Sequence, residues 1–290
     1  MKVLAIINPK SGLKSSKAHL LEALEVFSKY KYEVELYVTQ AKNDAYEYLK
    51  NYRKKVDIVC GFGGDGTINE ITNALMNKKN KPLLAYFPSG TMNDFGSNFN
   101  LGNDWGAIAE RICQGNYREF DVGEFNGKYF NYVAAFGAFC DVPFSTNRKS
   151  KETFGNLAYI FEGISKLQEI KPINVHVKCG NKDETYDALF GLIFSGNRVA
   201  GIEYLDKKKG RIDDGKFNVL IVEYVKDPIL GMPLIIETLA NQHKYFHWYF
   251  NSEIELSFND KVIWTLDGEE AKIKDQVTIK NIHKALKMLS

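Results

Sequence analysis

Gly61-Phe62-Gly63-Gly64-Asp65-Gly66-Thr67-Ile68-Asn69-Glu70 is the stretch on which the fold turns. A short apolar run, Asp57-Ile58-Val59-Cys60, leads into it, and residues 67–76 follow with Ile68, Ile71 and Leu75 at helical spacing. A strand that ends in glycines and opens a helix suits phosphate. Glycine lets the backbone turn sharply and approach a ligand closely. The helix N-terminus offers unpaired N–H groups and the positive end of its dipole. The alternative is a glycine turn that binds nothing. Gly61, Gly63 and Gly66 also match the dinucleotide spacing G-x-G-x-x-G. Three features oppose that match. The loop follows the third expected strand, not the first. No acidic residue ends the next strand at Pro88, where a ribose partner is expected. Asp65 would repel a bare pyrophosphate, and fits better with a divalent cation between it and the phosphates. No Gly-Lys-Ser/Thr follows the glycines, which excludes a P-loop.

Around this stretch the first 115 residues alternate strand and helix patterns. Residues 3–8 form a continuous apolar run of the kind buried in parallel sheets. Residues 15–32, 44–54 and 104–114 have helical periodicity, and residues 33–39 and 83–87 look like strands. This order predicts an α/β domain with a doubly wound parallel sheet, whose ligands bind beyond the C-terminal strand ends. Two more segments fall on that edge: Asn8-Pro9-Lys10-Ser11-Gly12, and Pro88-Ser89-Gly90-Thr91-Met92-Asn93-Asp94-Phe95. Each alone is an ordinary turn; three on one edge are less easily a coincidence.

Near residue 118 the pattern changes. Asn126-Gly127 between residues 118–125 and 128–136 signals a hairpin. Strand-like stretches follow at 173–179, 186–194, 217–224, 253–258, 262–266 and 276–282, with helical segments near 156–169 and 228–243. The second half therefore predicts a mostly antiparallel β domain with helices. The expected division is 1–120 and 121–290, with the last residues free to pack back on the first domain.

The 290-residue chain is 44% hydrophobic and 26% charged, as globular proteins are. A net charge of +2 is too balanced for a nucleic-acid partner but leaves room for a local basic patch. Cys60, Cys113, Cys140 and Cys179 are far apart, which suggests neither zinc nor a disulfide framework. The N-terminal apolar run is too short for a signal peptide, and no run reaches the ~20 residues of a membrane span. A cytoplasmic protein with peripheral membrane contact is expected. His243 and His247 have zinc-compatible spacing but no third ligand nearby, and are expected to be unliganded. Residues 245–250 are aromatic-rich and are expected in the core.

NPKSG at 8–12, GGDGTINE at 63–70, GTMNDF at 90–95, FDVG at 120–123, DDGKF at 213–217 and LDGE at 266–269 occur in one order along almost the whole chain. In this combination the chain resembles the diacylglycerol kinase catalytic-domain family, in its bacterial soluble lipid-kinase branch. GGDGT alone is shared with NAD kinases and phosphofructokinases. The resemblance implies an ATP site in the cleft between two domains, with nucleotide contacts at Asn8, Pro9, Lys10, Ser11, Gly12, Thr39, Gly64, Asp65, Gly66, Thr67, Ile68, Asn69, Glu70 and Thr91. It implies a carboxylate cluster around catalytic magnesium from Asp65, Asp94, Asp121, Asp267 and Glu269. It also implies a structural magnesium on Asp214 with main-chain oxygens of Arg211 and Lys216. The chain departs from the family pattern at Lys207-Lys208-Lys209-Gly210-Arg211, at Ala200-Gly201 and at Phe136-Gly137-Ala138-Phe139. The last two lie where the lipid is expected.

In an extended segment Asp267 and Glu269 would face one side. They fit a base that accepts the lipid hydroxyl's proton plus a magnesium-organising partner; which is the base stays open, and an acidic turn is the plain alternative. The expected function is ATP-dependent phosphorylation of a lipid hydroxyl, with diacylglycerol giving phosphatidic acid. Phosphatidylglycerol, sphingosine-like and polyprenol acceptors, NAD kinase, and a nucleotide-binding regulator without activity are the alternatives. The expected partner is a lipid at a membrane surface; homodimerisation stays open.

Overall fold

The computed structural model describes residues 1–11, 17–90, 93–138, 171–196, 198–199, 202–203, 211–225, 244–271 and 275–290. The helical segments expected near 156–169 and 228–243 lie outside these residues, as do Gly12, Thr91, Cys140, the Lys207–Lys209 run and His243. The chain divides into two compact units. One comprises Met1–Val122, Lys128–Asn131 and Ile282–Ser290; the other comprises Gly123–Gly127 and Tyr132–Asn281.

The first unit is an α/β domain. Its elements are β1 (Lys2–Ile7), α1 (Lys17–Lys29), β2 (Glu33–Val38), α2 (Asp44–Asn51), β3 (Ile58–Gly63), α3 (Asp65–Met76), β4 (Leu83–Pro88), α4 (Asp94–Ser97) and α5 (Trp105–Gln114), followed by β5 (Tyr117–Phe125) and β6 (Lys128–Phe130). The sheet order β2-β1-β3-β4 is parallel throughout. The chain leaves β1 for β2 on one side and returns to β3 on the other, so a topological switch point lies between β1 and β3. Helix α1 packs with α5, and α2 with α3. All six residues of β3 are buried, as its place inside the sheet requires. Phe62 stacks on Phe87 at 4.1 Å between ring centroids, and Trp105 meets Phe62 edge-on at 5.2 Å. Such contacts add about 0.5–1.5 kcal/mol per pair beyond the area they bury. This cluster lies under the ends of β3 and β4 and fixes them to α5.

The helix boundaries follow local chemistry. Asp104 caps α5 by accepting from the Ala107 amide at 2.9 Å, and Gly115 closes it in the left-handed conformation (φ 78°). Helix α3 has no side-chain cap; Gly64 precedes it in an extended conformation. The helix starts two residues earlier than its periodicity predicts, because apolar spacing senses only the buried side and Asp65 and Gly66 are half-exposed. Ile68, Ile71 and Leu75 are fully buried, as expected.

The second unit is mainly antiparallel. Its strands are β7 (Val133–Gly137), β8 (Ile173–Cys179), β9 (Lys182–Phe194), β10 (Arg198–Val199), β11 (Ile202–Glu203), β12 (Phe217–Glu223), β13 (Phe246–Asn251), β14 (Glu253–Phe258), β15 (Trp264–Leu266), β16 (Glu269–Ala271) and β17 (Gln276–Leu289), whose last residues belong to the first unit. There β17 runs parallel to β4 at Met288 and Leu84. Strand β9 is the spine: its first half pairs with β8, and its second half with β7 and β12. It starts four residues before the predicted strand. Gly180 (φ 62°) turns the chain between Cys179 and Lys182, and glycine at the first turn position is what a type II′ hairpin needs. Asn126 and Gly127 both take positive φ, 47° and 83°, as the Asn-Gly signal predicts.

Gly63 shows how tightly β3 meets α3. A Cβ there would lie 2.5 Å from the Thr67 Cβ. Gly63→Ala is expected to cost about 1–3 kcal/mol through overpacking. Urea unfolding should show a lower midpoint at unchanged slope; an unchanged midpoint would mean that α3 can move away freely.

Candidate active site

Three loops leave the C-terminal ends of β1, β3 and β4, and hydrogen bonds join them. The Asn8 amide donates to the Phe62 carbonyl at 2.8 Å, and the Asn8 side chain donates to the Thr67 hydroxyl at 3.0 Å. Its carbonyl oxygen accepts from the Lys10 amide at 3.0 Å. Asn8 therefore ties the end of β1 both to β3 and to the first turn of α3. The Ser89 amide donates to the Gly63 carbonyl at 2.8 Å, and the Ser89 and Ser11 hydroxyls are 3.0 Å apart. Asn93, in the left-handed conformation (φ 50°), accepts from the Gly90 amide at 2.8 Å and donates to the Gly90 carbonyl at 2.9 Å. Thr39, at the end of β2, donates through its amide to the Ile7 carbonyl at 2.9 Å.

Two glycines make this assembly possible. A Cβ on Gly90 would lie 2.9 Å from the Gly64 Cα, and one on Gly64 would lie 3.3 Å from the Gly90 Cα. The obstacle in both cases is backbone, which cannot swing aside. A side chain at Gly64 would therefore disturb the protein before any ligand arrived.

The remaining predicted contacts divide by role. Gly64, Asp65 and Gly66 are half-exposed at the uncapped start of α3. Pro9 and Lys10 are exposed, and Ser11 is half-exposed. Ile68 is core, so only its backbone could reach a ligand. Asn69 donates to the Tyr129 carbonyl at 3.3 Å. Glu70 accepts from the Asn43 and Ala45 amides at 2.7 and 3.0 Å, so its carboxylate supplies the cap that Asn43 does not give α2.

The acidic residues also divide. Asp65 accepts from the Phe95 amide at 3.3 Å. Burial, and secondarily the Asp65 charge, pushes the Tyr86 hydroxyl well above its usual range, so it stays neutral. Asp94 is buried at the start of α4. Asp121 is fully buried and accepts from the Lys284 amide at 2.8 Å, with His283 Nδ1 at 2.9 Å from the same oxygen. Among the described residues no three His, Cys, Asp or Glu side chains group closely enough to hold a metal ion.

In the second unit the LDGE segment is not extended. Leu266 pairs with Glu269, and Asp267 and Gly268 between them take positive φ, 48° and 83°. This is a two-residue hairpin turn of the Asp-Gly kind. The expectation that Asp267 and Glu269 share one face of a strand is therefore corrected. Asp267 is buried, and its Oδ1 accepts from the Tyr132 and Val133 amides at 3.0 and 3.1 Å. That clamp also explains why the single strand expected over 128–136 breaks into β6 and β7. Glu269 is exposed. Asp214 accepts from the Arg211 and Lys216 amides, each at 3.0 Å, and Asp213 pairs with the Arg211 guanidinium at 2.9 Å. His247 is 3.1 Å from Glu223.

The family model of the diacylglycerol kinase catalytic domain matches residues 2–125. A diacylglycerol kinase of Staphylococcus saprophyticus is 31% identical over 267 residues, covering 91% of this chain and 87% of the relative. One of Staphylococcus aureus is 33% identical over 241 residues, covering 83% and 75%. The chain belongs to the diacylglycerol kinase family. The fold agrees. A diacylglycerol kinase crystal structure from Bacillus anthracis superposes with a TM-score of 0.78 at 20% identity, over 99% of this chain and 96% of that one. A second solved chain from that organism reaches 0.83 at 23% identity, over 99% and 94%.

Within this lipid kinase family the chain keeps the motifs, and its structure shows what several of them do without any ligand. Sequence reasoning missed Ser89, Asn93 and Asn73. Asn73 holds residue 129 through both its amide and its carbonyl, with the Asn73 side chain 2.8 Å from the Tyr129 carbonyl and 3.0 Å from its amide. These residues make pairings across loops, which periodicity cannot register. Glu70→Gln replaces one acceptor oxygen by a donor against the N-terminus of α2. It is expected to cost about 1 kcal/mol. Thermal unfolding should show a lower Tm; an unchanged Tm would show that α2 does not depend on this cap.

Proposed function

We propose that this chain transfers the γ-phosphoryl group of ATP, with magnesium, to the hydroxyl of diacylglycerol, giving phosphatidic acid. The observation that carries this is the uncapped N-terminus of α3, bound into glycine-bearing loops at the ends of β1, β3 and β4. Backbone amides at such a terminus suit phosphate oxygens. Asn8, Ser11 and Thr67 brace the donor side, and Pro9, Lys10, Gly12, Thr39, Gly64, Gly66 and Thr91 line it. Ile68, Asn69 and Glu70 support it from behind, in keeping with their own contacts.

Magnesium fits this arrangement as a partner of the nucleotide. Magnesium is ordinarily held by one or two carboxylates together with substrate phosphates and water. Asp65, half-exposed at the start of α3, would be such a carboxylate, with Asp94 behind it. When bound, the ion neutralises charge on the phosphates. Asp121 has a structural role in holding residues 283 and 284. Asp214 likewise closes its own loop through the Arg211 and Lys216 amides.

Phosphoryl transfer demands positioning more than covalent chemistry. The lipid oxygen bonds to the γ-phosphorus as the bond to the bridging oxygen of ADP breaks, and the hydroxyl proton goes to a carboxylate. We assign that carboxylate to Glu269, which is exposed beside the hairpin turn. Asp267 holds the turn through two backbone amides. An apolar acceptor is supported by the second unit's cluster of Leu189, Phe190, Leu220, Val222 and Phe246, against which Tyr245 and Trp248 pack partly exposed. Among the described residues no helix is long and apolar enough to cross a membrane. The lipid is therefore met by peripheral contact at the cytoplasmic surface.

Purified protein with radiolabelled ATP and a lipid panel in mixed micelles is expected to label phosphatidic acid when diacylglycerol is present. Excess chelator should abolish the signal. Labelling of phosphatidylglycerol, a sphingosine-like lipid or a polyprenol instead would replace the acceptor, and labelling of NAD would replace the class. Glu269→Gln should lower the rate by roughly 10²–10⁴ with ATP affinity little changed. Near-normal turnover would move the base elsewhere.

A further inference from the structure

Ser89 is the residue through which all three loops communicate, and no motif names it. Its amide donates to the Gly63 carbonyl at the end of β3. Its hydroxyl is 3.0 Å from the Ser11 hydroxyl in the loop after β1. Its chain neighbour Gly90 stands against Gly64, at the start of α3.

Proton counting gives the Ser11–Ser89 bond a direction. A serine hydroxyl carries one proton. Ser11 donates its proton to the Asn8 carbonyl at 2.9 Å. The proton between the two serines must then come from Ser89. The chain runs Ser89 O–H to Ser11 O–H to Asn8 C=O, and the Asn8 side chain continues it to the Thr67 hydroxyl. Ser11 has no second proton to offer a phosphate while this chain stands. Its hydroxyl is a strut, and the loop from Asn8 to Ser11 presents backbone to a ligand.

We propose that Ser89 is a positioning residue for the phosphate donor: by donating to Ser11 it holds the loop after β1 in register with the start of α3. Ser89 acts through Ser11 and Asn8 and need not touch the nucleotide itself. This rests on the reading of the three loops as the ATP site.

The position discriminates between side chains. Alanine removes the donor and leaves Ser11 with an unfilled acceptor. Threonine keeps the donor on the same carbon. The amide bond to Gly63 survives every substitution except proline.

The test is steady-state kinetics with ATP varied at saturating lipid, then lipid varied at saturating ATP, with calorimetric ATP–magnesium binding alongside. Ser89→Ala is expected to raise the KM and Kd for ATP about 3- to 10-fold, the loss of one neutral hydrogen bond. The value of kcat and the KM for lipid should stay within about twofold, because the bond is made equally in the ground and transition states. Ser89→Thr should restore the ATP values. Ser11→Ala removes the same strut, so the double variant should be no worse than the worse single one. Unchanged ATP affinity in Ser89→Ala would overturn the proposal. So would a fall in kcat at constant KM, an equal rise in lipid KM, or additive effects of the two alanines. If Ser89→Ala fails to fold, a Ser89→Thr variant with weakened ATP binding overturns it. Wild-type protein that binds ATP but phosphorylates no lipid would defeat the kinase reading alone, since the calorimetric comparison of the serine variants still decides the role of Ser89.

Discussion

Two backbones meet where neither carries a side chain. Gly64 and Gly90 stand so close that a Cβ on either would press on the other's Cα. That approach lets the loop after β4 lie against the start of α3, and much of the first unit's active edge follows from it. Ser89 comes within reach of Gly63 and Ser11, and Asn93 folds back on Gly90. The order β2-β1-β3-β4 brings the ends of β1 and β3 to either side of the switch point, so Asn8 can span from one to the other. The first amides of every helix lack an intrahelical partner. For α5 the Asp104 side chain meets one of them, and for α3 no side chain does. The same fold closes one helix and leaves the other open to a ligand.

The acidic motif residues show a second constraint. A carboxylate taken from water needs hydrogen bonds in exchange. Glu70, Asp121, Asp214 and Asp267 each obtain them from backbone amides of a neighbouring segment. Each thereby fixes a turn or helix end that has too few apolar contacts to fix itself. An acidic residue inside a motif is therefore as often part of the scaffold that aims the chemistry as part of the chemistry. The Asp267 turn makes this concrete: the residue that looks like half of a catalytic pair is the buried clamp, and its neighbour Glu269 is the one in solvent.

Much of this architecture was legible in the residues. The apolar runs of β1, β3 and β4, the helical spacing of Ile68, Ile71 and Leu75, and the Asn126-Gly127 turn all carry local signals, and the structure bears them out. The order of motifs pointed to the family that the relatives show. What escaped were features set by partners distant in sequence. The break at residues 131–132 depends on an aspartate 135 residues further on. Strand β17 runs seven residues past its predicted end because its final part pairs with β4. The Asp267-Gly268 turn had a local signal, the dipeptide itself, but a reading that looked for paired carboxylates passed over it.

Charge decides what the glycine loops can accept. Residues 8–11, 63–67, 88–90 and 93–94 contain one basic side chain, Lys10, against two carboxylates, Asp65 and Asp94. The positive end of the α3 dipole amounts to only about half a charge, and Asp65 in its first turn already draws on it. Tyr86 beside them stays neutral. A triphosphate brings several negative charges to the same place, more than one lysine and one helix dipole can balance. A donor nucleotide at these loops therefore has to arrive with its own cation. This argues for a metal–nucleotide complex as the bound species, and it gives Asp65 a reason to stand at a position that would otherwise repel phosphate.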